Sequence, residues 1–68
     1  MNFDLSAFEG HNVRIFTKLD ECYEGILLLY NNRPFFVNGH YIFKLFRPNG
    51  FSECVFRESD ILDFYILD

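Results

Sequence analysis

Apolar and polar residues alternate along several short segments of the chain, and this alternation is the main signal of secondary structure. In "VRIFTK", Val13, Ile15 and Thr17 fall on one face of a strand, and the side chains between them fall on the other. The segments "HYIFKLF", "FSECVF" and "ILDFYIL" are also predicted strands, separated by the turn segments "RPNG" and "RESD". The longest apolar run, "CYEGILLLYNN", holds Gly25 at its centre. Because glycine weakens a strand, we predict a sharp bend or a close backbone approach at this position.

The middle of the chain contains the strongest hairpin signal. Asn38-Gly39 lies between "PFFV" and "HYIFKLF", and a type I′ turn requires positive φ at both central residues. The same dipeptide would also suit an irregular excursion inside a long loop. Pro34 ends the preceding strand, since proline cannot donate a hydrogen bond to a sheet. We therefore predict five principal strands, with "PFFV" as a candidate sixth.

The first residues predict one short helical turn before the strands. Asp4 is a suitable N-cap, Leu5 and Phe8 are spaced i, i+3, and Gly10 is a typical helix stop. Short strands at close spacing with little helix predict a mainly β fold, namely a small five-stranded antiparallel barrel in which residues 1–68 form a single domain. In such a barrel the C-terminal strand can pair on both sides, so that its apolar residues are covered, and if it is only partly covered another chain can add to it.

The composition adds an aromatic excess and two separated cysteines. Ten Phe and four Tyr in 68 residues exceed what one small core holds, so we expect an exposed apolar patch that serves as an interaction site. Cys22 and Cys54 form no CxxC pair, and we predict two ordinary buried thiols. "MNFDLSAFEG" has no basic start and no continuous apolar core, and the chain has no long apolar run. We expect a cytoplasmic protein that does not enter a membrane.

Two segments carry a resemblance to a known family. The run "VRIFTKLDECYEGILLLYNN" resembles the first signature of Sm-like domains, with an aromatic residue two positions before a glycine, and "FRESDILDFYI" is similar to the second signature. The positions that match are Val13, Ile15, Tyr23, Gly25, Leu27, Tyr30, Phe56, Arg57, Asp60, Ile61 and Phe64. The resemblance covers nearly the whole chain and extends to compact Sm-like proteins of bacteria and their phages. It implies an SH3-like, Sm-like barrel and RNA binding by a ring of subunits.

The chain departs from this family at the RNA-binding positions. Asn31 stands where the family has Asp, and Pro34-Phe35 replace a Met-Asn pair. Glu58 replaces the glycine that follows the arginine, so only Arg57 matches the family's binding residues. A carboxylate beside this arginine would repel phosphate, and the resemblance therefore implies RNA binding only weakly.

The charge distribution is uneven. Ten acidic against six basic residues give a net charge of -4, which is unfavourable for a phosphate-binding protein. Residues 25–52 contain no Asp or Glu, but they contain Arg33, Lys44, Arg47 and His40. These cations predict a weakly basic end that could dock phosphate or an acidic protein surface, or they are ordinary solubilising residues. The nearby aromatic residues Phe35, Tyr41 and Phe43 are candidates for stacking on bases.

Catalytic and metal-binding patterns find little support in the sequence. His11 and His40 stand alone without metal-ligand spacing, and no serine lies in a nucleophile-elbow context. We expect no enzyme activity, no cofactor, no metal and no small-molecule substrate.

Three functions are compatible with these features. The first is a non-enzymatic Sm-like binding module that acts through protein contacts and self-association, as a homo-oligomer. The second is an RNA-binding Sm-type ring with Asn31, Arg33 and Arg57 around its pore, and the third is a small acidic phage-type inhibitor of a host nucleic-acid enzyme. The candidate residues for binding RNA or a partner are Asn31, Arg33, His40 and Arg57. The sequence does not identify the partner or the number of subunits.

Overall fold

A computed structural model describes residues 3–68 and is mainly β. Its six antiparallel strands are β1 (Asn12–Thr17), β2 (Cys22–Leu28), β3 (Phe36–Val37), β4 (His40–Arg47), β5 (Gly50–Arg57) and β6 (Ile61–Ile66). Short 3-10 helices at Leu5–Ala7 and Glu58–Asp60 precede β1 and β6. The predicted β class and N-terminal turn are confirmed, and the candidate sixth strand is present as β3. The Asp4 carboxylate caps the first helix by accepting a hydrogen bond from the Ser6 amide at 3.2 Å.

Strand burial follows the alternation in the sequence. In β1, Val13, Ile15 and Thr17 are buried and the intervening residues are half-buried. In β4, the buried residues are Tyr41, Phe43 and Leu45. All of these inward-facing side chains except that of Thr17 form the hydrophobic core together with Leu5, Leu27, Cys54 and Ile61.

The Asn38-Gly39 hairpin is confirmed. Both residues have positive φ, at 50° and 76°, as a type I′ turn requires. β3 pairs with the start of β4, where Phe36 lies opposite Tyr41. The turn therefore fixes an aromatic pair at this end of the sheet.

The sheet curls where β2 exchanges one partner strand for another. Residues Cys22–Ile26 of β2 pair with β1, and residues Ile26–Leu28 pair with β4. The sheet order is β3-β4-β2-β1-β6, and β5 pairs with β4. Gly25 lies at this change of partner, and a Cβ atom there would be 3.0 Å from the Phe46 carbonyl oxygen. The predicted close approach at Gly25 is confirmed.

The last strand pairs with the first, but the barrel does not close. Phe64 of β6 lies opposite Ile15 of β1, and the Leu67 amide donates a hydrogen bond to the Asn12 carbonyl at 2.8 Å. Within residues 3–68, β6 pairs only with β1 and β5 pairs only with β4. The C-terminal strand therefore does not pair on both sides, and the other possibility holds, in which β6 is only partly covered and its outer edge is open. The helix Glu58–Asp60 carries the chain from the β4 side of the sheet to the β1 side, so β5 and β6 end on separate edges of a half-barrel.

The two cysteines have different environments. Cys54 is 6% exposed in the core, whereas Cys22 is exposed at the start of β2. Both thiols are free. The prediction of two buried thiols is correct for Cys54 and wrong for Cys22, because Cys22 points to the same outer face as Glu24.

Candidate functional site

The clearest candidate for a binding site is the pair of unpaired sheet edges on β5 and β6. Each edge presents backbone N–H and C=O groups that another strand can pair with. Apolar side chains are exposed on or beside these strands, namely Phe51 and Val55 on β5 and Leu62, Tyr65, Ile66 and Leu67 at the C-terminal end. Natural edge strands are commonly protected by Lys or Pro. β6, with the sequence ILDFYI, contains neither residue.

The outer face of β4 and β5 is a second exposed surface that continues to the β5 edge. The rings of Phe46 and Phe51 lie across from one another with centroids 5.0 Å apart. Phe51 is 61% exposed and Val55 is 56% exposed, so this apolar row is open to solvent. The aromatic excess in the sequence is thus placed partly on the surface, as expected.

A cluster of two cations, two aromatic rings and one carboxylate lies in the middle of this outer face. The Arg33 guanidinium is 4.0 Å from the centre of the Tyr30 ring, and its Nη2 is 2.6 Å from Glu53 Oε2. Lys44 Nζ is 4.9 Å from the Tyr30 ring centre and 5.4 Å from that of Phe51. The Tyr30 hydroxyl donates a hydrogen bond to the same Glu53 oxygen. We call these five residues the cation-aromatic cluster.

The ionisation of this cluster follows its hydrogen bonds. The Tyr30 hydroxyl, and then the Arg33 guanidinium, lower the pKa of Glu53. The bond to Glu53 raises the pKa of Tyr30 above its ordinary value. Glu53 is therefore ionised and neutralises Arg33, whereas Lys44 forms no salt bridge within residues 3–68. Lys44 is the cation of this cluster that remains available to an incoming anion.

The four predicted site residues lie in separate places. Arg33 belongs to the cation-aromatic cluster, and Asn31 is exposed in the turn just before it. His40 and Arg57 lie opposite one another where β4 begins and β5 ends. They are four residues from the Lys44–Glu53 pair, or about 13 Å along the strands. One chain therefore does not bring Arg33 and Arg57 into a single contact site.

The environment of Arg57 differs from the sequence-based expectation. Glu58 follows Arg57 but forms no salt bridge with it within the described part of the chain. Instead, the Tyr41 hydroxyl donates a hydrogen bond to Glu58 Oε2 at 3.5 Å. His40 Nδ1 lies 2.9 Å from the Asn38 carbonyl oxygen, which ties this ring to the hairpin turn.

Two of the three aromatic residues predicted to stack on bases are inaccessible. Tyr41 is 1% exposed and Phe43 is fully buried, and Phe35 is half-buried against the core. The rings beside the cations are instead the half-buried Tyr30 and the exposed Phe51, neither of which was predicted to stack on bases. Alternation in β4 was the available signal, because Lys44 marks the outer face and the odd-numbered aromatic residues of this strand must then face inward.

An open groove adjoins the apolar row at the C-terminal end of β4, near Arg47. It has a volume of about 820 Å³ and is lined by Asn12, Cys22, Glu24, Gly25, Ile26, Phe46, Arg47, Pro48 and Asn49. Arg47 is held at this groove because its Nε donates to the Glu24 carbonyl at 2.8 Å. The outer face thus carries one continuous exposed surface from the groove through Phe46 and Phe51 to the β5 edge.

Comparisons with known proteins assign no family to the chain. No protein-family model, no curated protein and no solved structure matches it. Within residues 3–68, no group of three or more His, Cys, Asp or Glu side chains could hold a metal ion. Neither of the short helices described above has the length and apolar character needed to cross a membrane.

Proposed function

We propose that the chain is an Sm-like, non-enzymatic binding module that acts through protein contacts and self-associates through its strand edges. The observation that supports this most strongly is the pair of open edges on β5 and β6 within one curled sheet. The two sequence signatures, the short N-terminal helix and the pairing of the last strand with the first support the Sm-like assignment.

The two edges suit one another in length. β5 has eight residues and β6 has six, so either can add to the other as an antiparallel strand. Asp63 on β6 and Arg57 at the end of β5 can pair across such a contact, whereas Glu53 of β5 is already paired with Arg33 within the chain. Pairing of β5 from one copy with β6 from the next is a head-to-tail contact, which produces closed rings or open filaments.

We expect light scattering coupled to size-exclusion chromatography to give a mass several times 8.2 kDa. The variant Ile66→Pro tests the β6 edge. Since the Leu67 amide points to β1, the Ile66 amide points to the open side, and proline removes this donor. We expect Ile66→Pro to be a folded monomer by circular dichroism and scattering.

Ile66→Val is the matched control, because it keeps the amide at the same position and should assemble as the parent chain does. A parent chain that is monomeric at all concentrations would contradict self-association. Assembly of folded Ile66→Pro to the parental mass would show that the β6 edge is not the interface.

RNA binding is a second candidate function, and the cation-aromatic cluster favours it. Lys44 lies near two rings on a surface where bases can stack, and it has no carboxylate partner among the described residues. We expect oligouridylate to bind more weakly as salt rises, and Lys44→Gln to weaken binding at low salt by about 2- to 10-fold. Lys18→Gln, which changes an exposed cation in a different turn, is the control. Equal gel-shift affinities for both variants and the parent would exclude this cluster as the RNA site.

A further inference from the structure

A pocket between the N-terminal segment and the β3–β4 hairpin has an unusual lining. It has a volume of about 300 Å³ and is lined by Phe3, Asp4, Phe35, Phe36 and Tyr41. Four of these five residues are aromatic, and the fifth is a carboxylate. None of them belongs to β5 or β6, so the pocket is separate from the edges proposed above for self-association.

The rings stand at an angle to one another around Tyr41. The Phe36 and Tyr41 ring centres are 4.7 Å apart with planes at 47°, and those of Phe3 and Tyr41 are 6.0 Å apart with planes at 60°. The Tyr41 ring is nearly inaccessible, whereas Phe36 is 38% exposed. Tyr41 therefore lies at the bottom of the pocket and Phe36 at its open side.

Backbone and side-chain contacts hold this arrangement in place. The Tyr41 hydroxyl accepts a hydrogen bond from the Phe3 amide at 2.6 Å, which ties the N-terminal segment to β4. The positive φ values of the Asn38-Gly39 turn place Phe36 opposite Tyr41. These contacts fix the lining of the pocket in the folded chain.

The charge of the lining is negative. Asp4 Oδ1 accepts a hydrogen bond from the Ser6 amide, and Asp4 Oδ2 has no hydrogen-bond partner within residues 3–68. A second carboxylate, that of Glu58, accepts from the Tyr41 hydroxyl behind the pocket. No Lys or Arg contributes to the lining. Aromatic faces and a carboxylate without a cation are complementary to an organic cation.

We propose that this pocket binds a methylated ammonium group, with the accessible rings of Phe3, Phe35 and Phe36 against the cation, the buried Tyr41 ring beneath them, and Asp4 balancing its charge. Quaternary ammonium ions are weakly hydrated, so their transfer from water into an aromatic pocket has a small desolvation cost. They keep their positive charge, and the faces of aromatic rings attract that charge electrostatically. The pocket volume is at the lower end of the range for small-molecule sites, about 300–1,000 Å³, which suits a small cationic head group.

The test is a titration of isotopically labelled protein, followed by amide chemical shifts, with tetramethylammonium and choline. A neutral analogue of choline, in which carbon replaces the quaternary nitrogen, has the same shape without the charge. We expect the cations to shift the amides of Asp4, Phe36 and Tyr41, and the neutral analogue to bind about 5- to 30-fold more weakly. Equal binding of the neutral analogue, or absence of cation binding at millimolar concentration, would overturn the proposal.

Two variants separate charge from shape. Asp4→Asn removes the negative charge and keeps a good N-cap, and Phe36→Leu removes an exposed ring and keeps an apolar side chain. We expect each to weaken choline binding several-fold, while Phe16→Leu, which changes a half-buried ring on β1 outside the pocket, leaves it unchanged. Unchanged affinity in folded Asp4→Asn and Phe36→Leu would contradict the site. A short peptide with trimethyllysine, titrated beside choline, distinguishes a modified protein side chain from a free ligand.

Discussion

Gly25→Val is expected to lower the free energy of unfolding by about 2–3 kcal/mol, the upper part of the usual range for overpacking. A Cβ atom at this position would lie 3.0 Å from the Phe46 carbonyl oxygen and 3.1 Å from Leu45 Cβ. The nearest atom belongs to the backbone of a central strand, so it cannot move away as a flexible side chain would. A domain of this size rarely has more than about 3–5 kcal/mol of total stability, and the variant should be close to unfolding.

Urea denaturation followed by circular dichroism measures this effect as a lower midpoint with an unchanged slope. Gly25→Ala is an informative companion, because it adds only the clashing Cβ and should retain much of the cost. Glu24→Gln is the control at the neighbouring exposed position, where loss of the surface pair with Arg14 should cost less than about 1 kcal/mol. A loss below about 0.5 kcal/mol in Gly25→Val would mean that β2 and β4 do not approach closely at this residue.

Local patterns predicted most of the strands because the signals are local. Alternation in β1 places Val13 and Ile15 inward whatever their partners are, since a strand has a period of two. The Asn38-Gly39 turn depends on the φ angles of two adjacent residues, and the glycine tolerates what most residues do not. Gly25 indicated a special backbone position, although the sequence did not show that the β4 backbone approaches it.

Failures of prediction arose where the answer depends on distant parts of the chain. Whether β5 and β6 meet depends on the curl of the whole sheet and on the path of the helix Glu58–Asp60, and no short segment encodes either. The short strands and the glycine at position 25 predicted a small barrel, but they did not determine whether the barrel closes. Local reasoning therefore recognised the β6 strand and left two possibilities for its outer edge, either paired within the chain or free to add another chain.

The cation-aromatic cluster was also inaccessible to sequence reasoning, for a related reason. Arg33 and Glu53 are twenty residues apart, and they meet because the β4–β5 register places Glu53 opposite Lys44. Arg33 was selected as a cation in an acid-free segment, but its partners depended on that register. By contrast, the burial of Tyr41 and Phe43 followed from alternation and could have been predicted.

The two thiols should differ in reactivity by at least about 100-fold in the folded protein. Burial raises the pKa of the Cys54 thiol from 9.0 to about 11, and this difference of about 2 units lowers its thiolate fraction about 100-fold at neutral pH. Cys54 is also 6% exposed, so a reagent reaches it only when the structure opens. Cys22 is exposed at the start of β2 and should react without any opening.

The measurement uses two single-thiol variants, Cys22→Ser and Cys54→Ala, and a colorimetric disulfide reagent at neutral pH. We expect fast labelling of Cys22 in Cys54→Ala and slow labelling of Cys54 in Cys22→Ser, with similar rates for both in denaturant. The raised pKa also means that Cys54 stabilises the fold below about pH 9 and that this contribution is lost as pH rises toward about 11, because only the unfolded thiol ionises readily. Equal labelling rates for the two thiols in the native state would show that Cys54 lies outside the core. The inward face of β5 would then also be assigned wrongly.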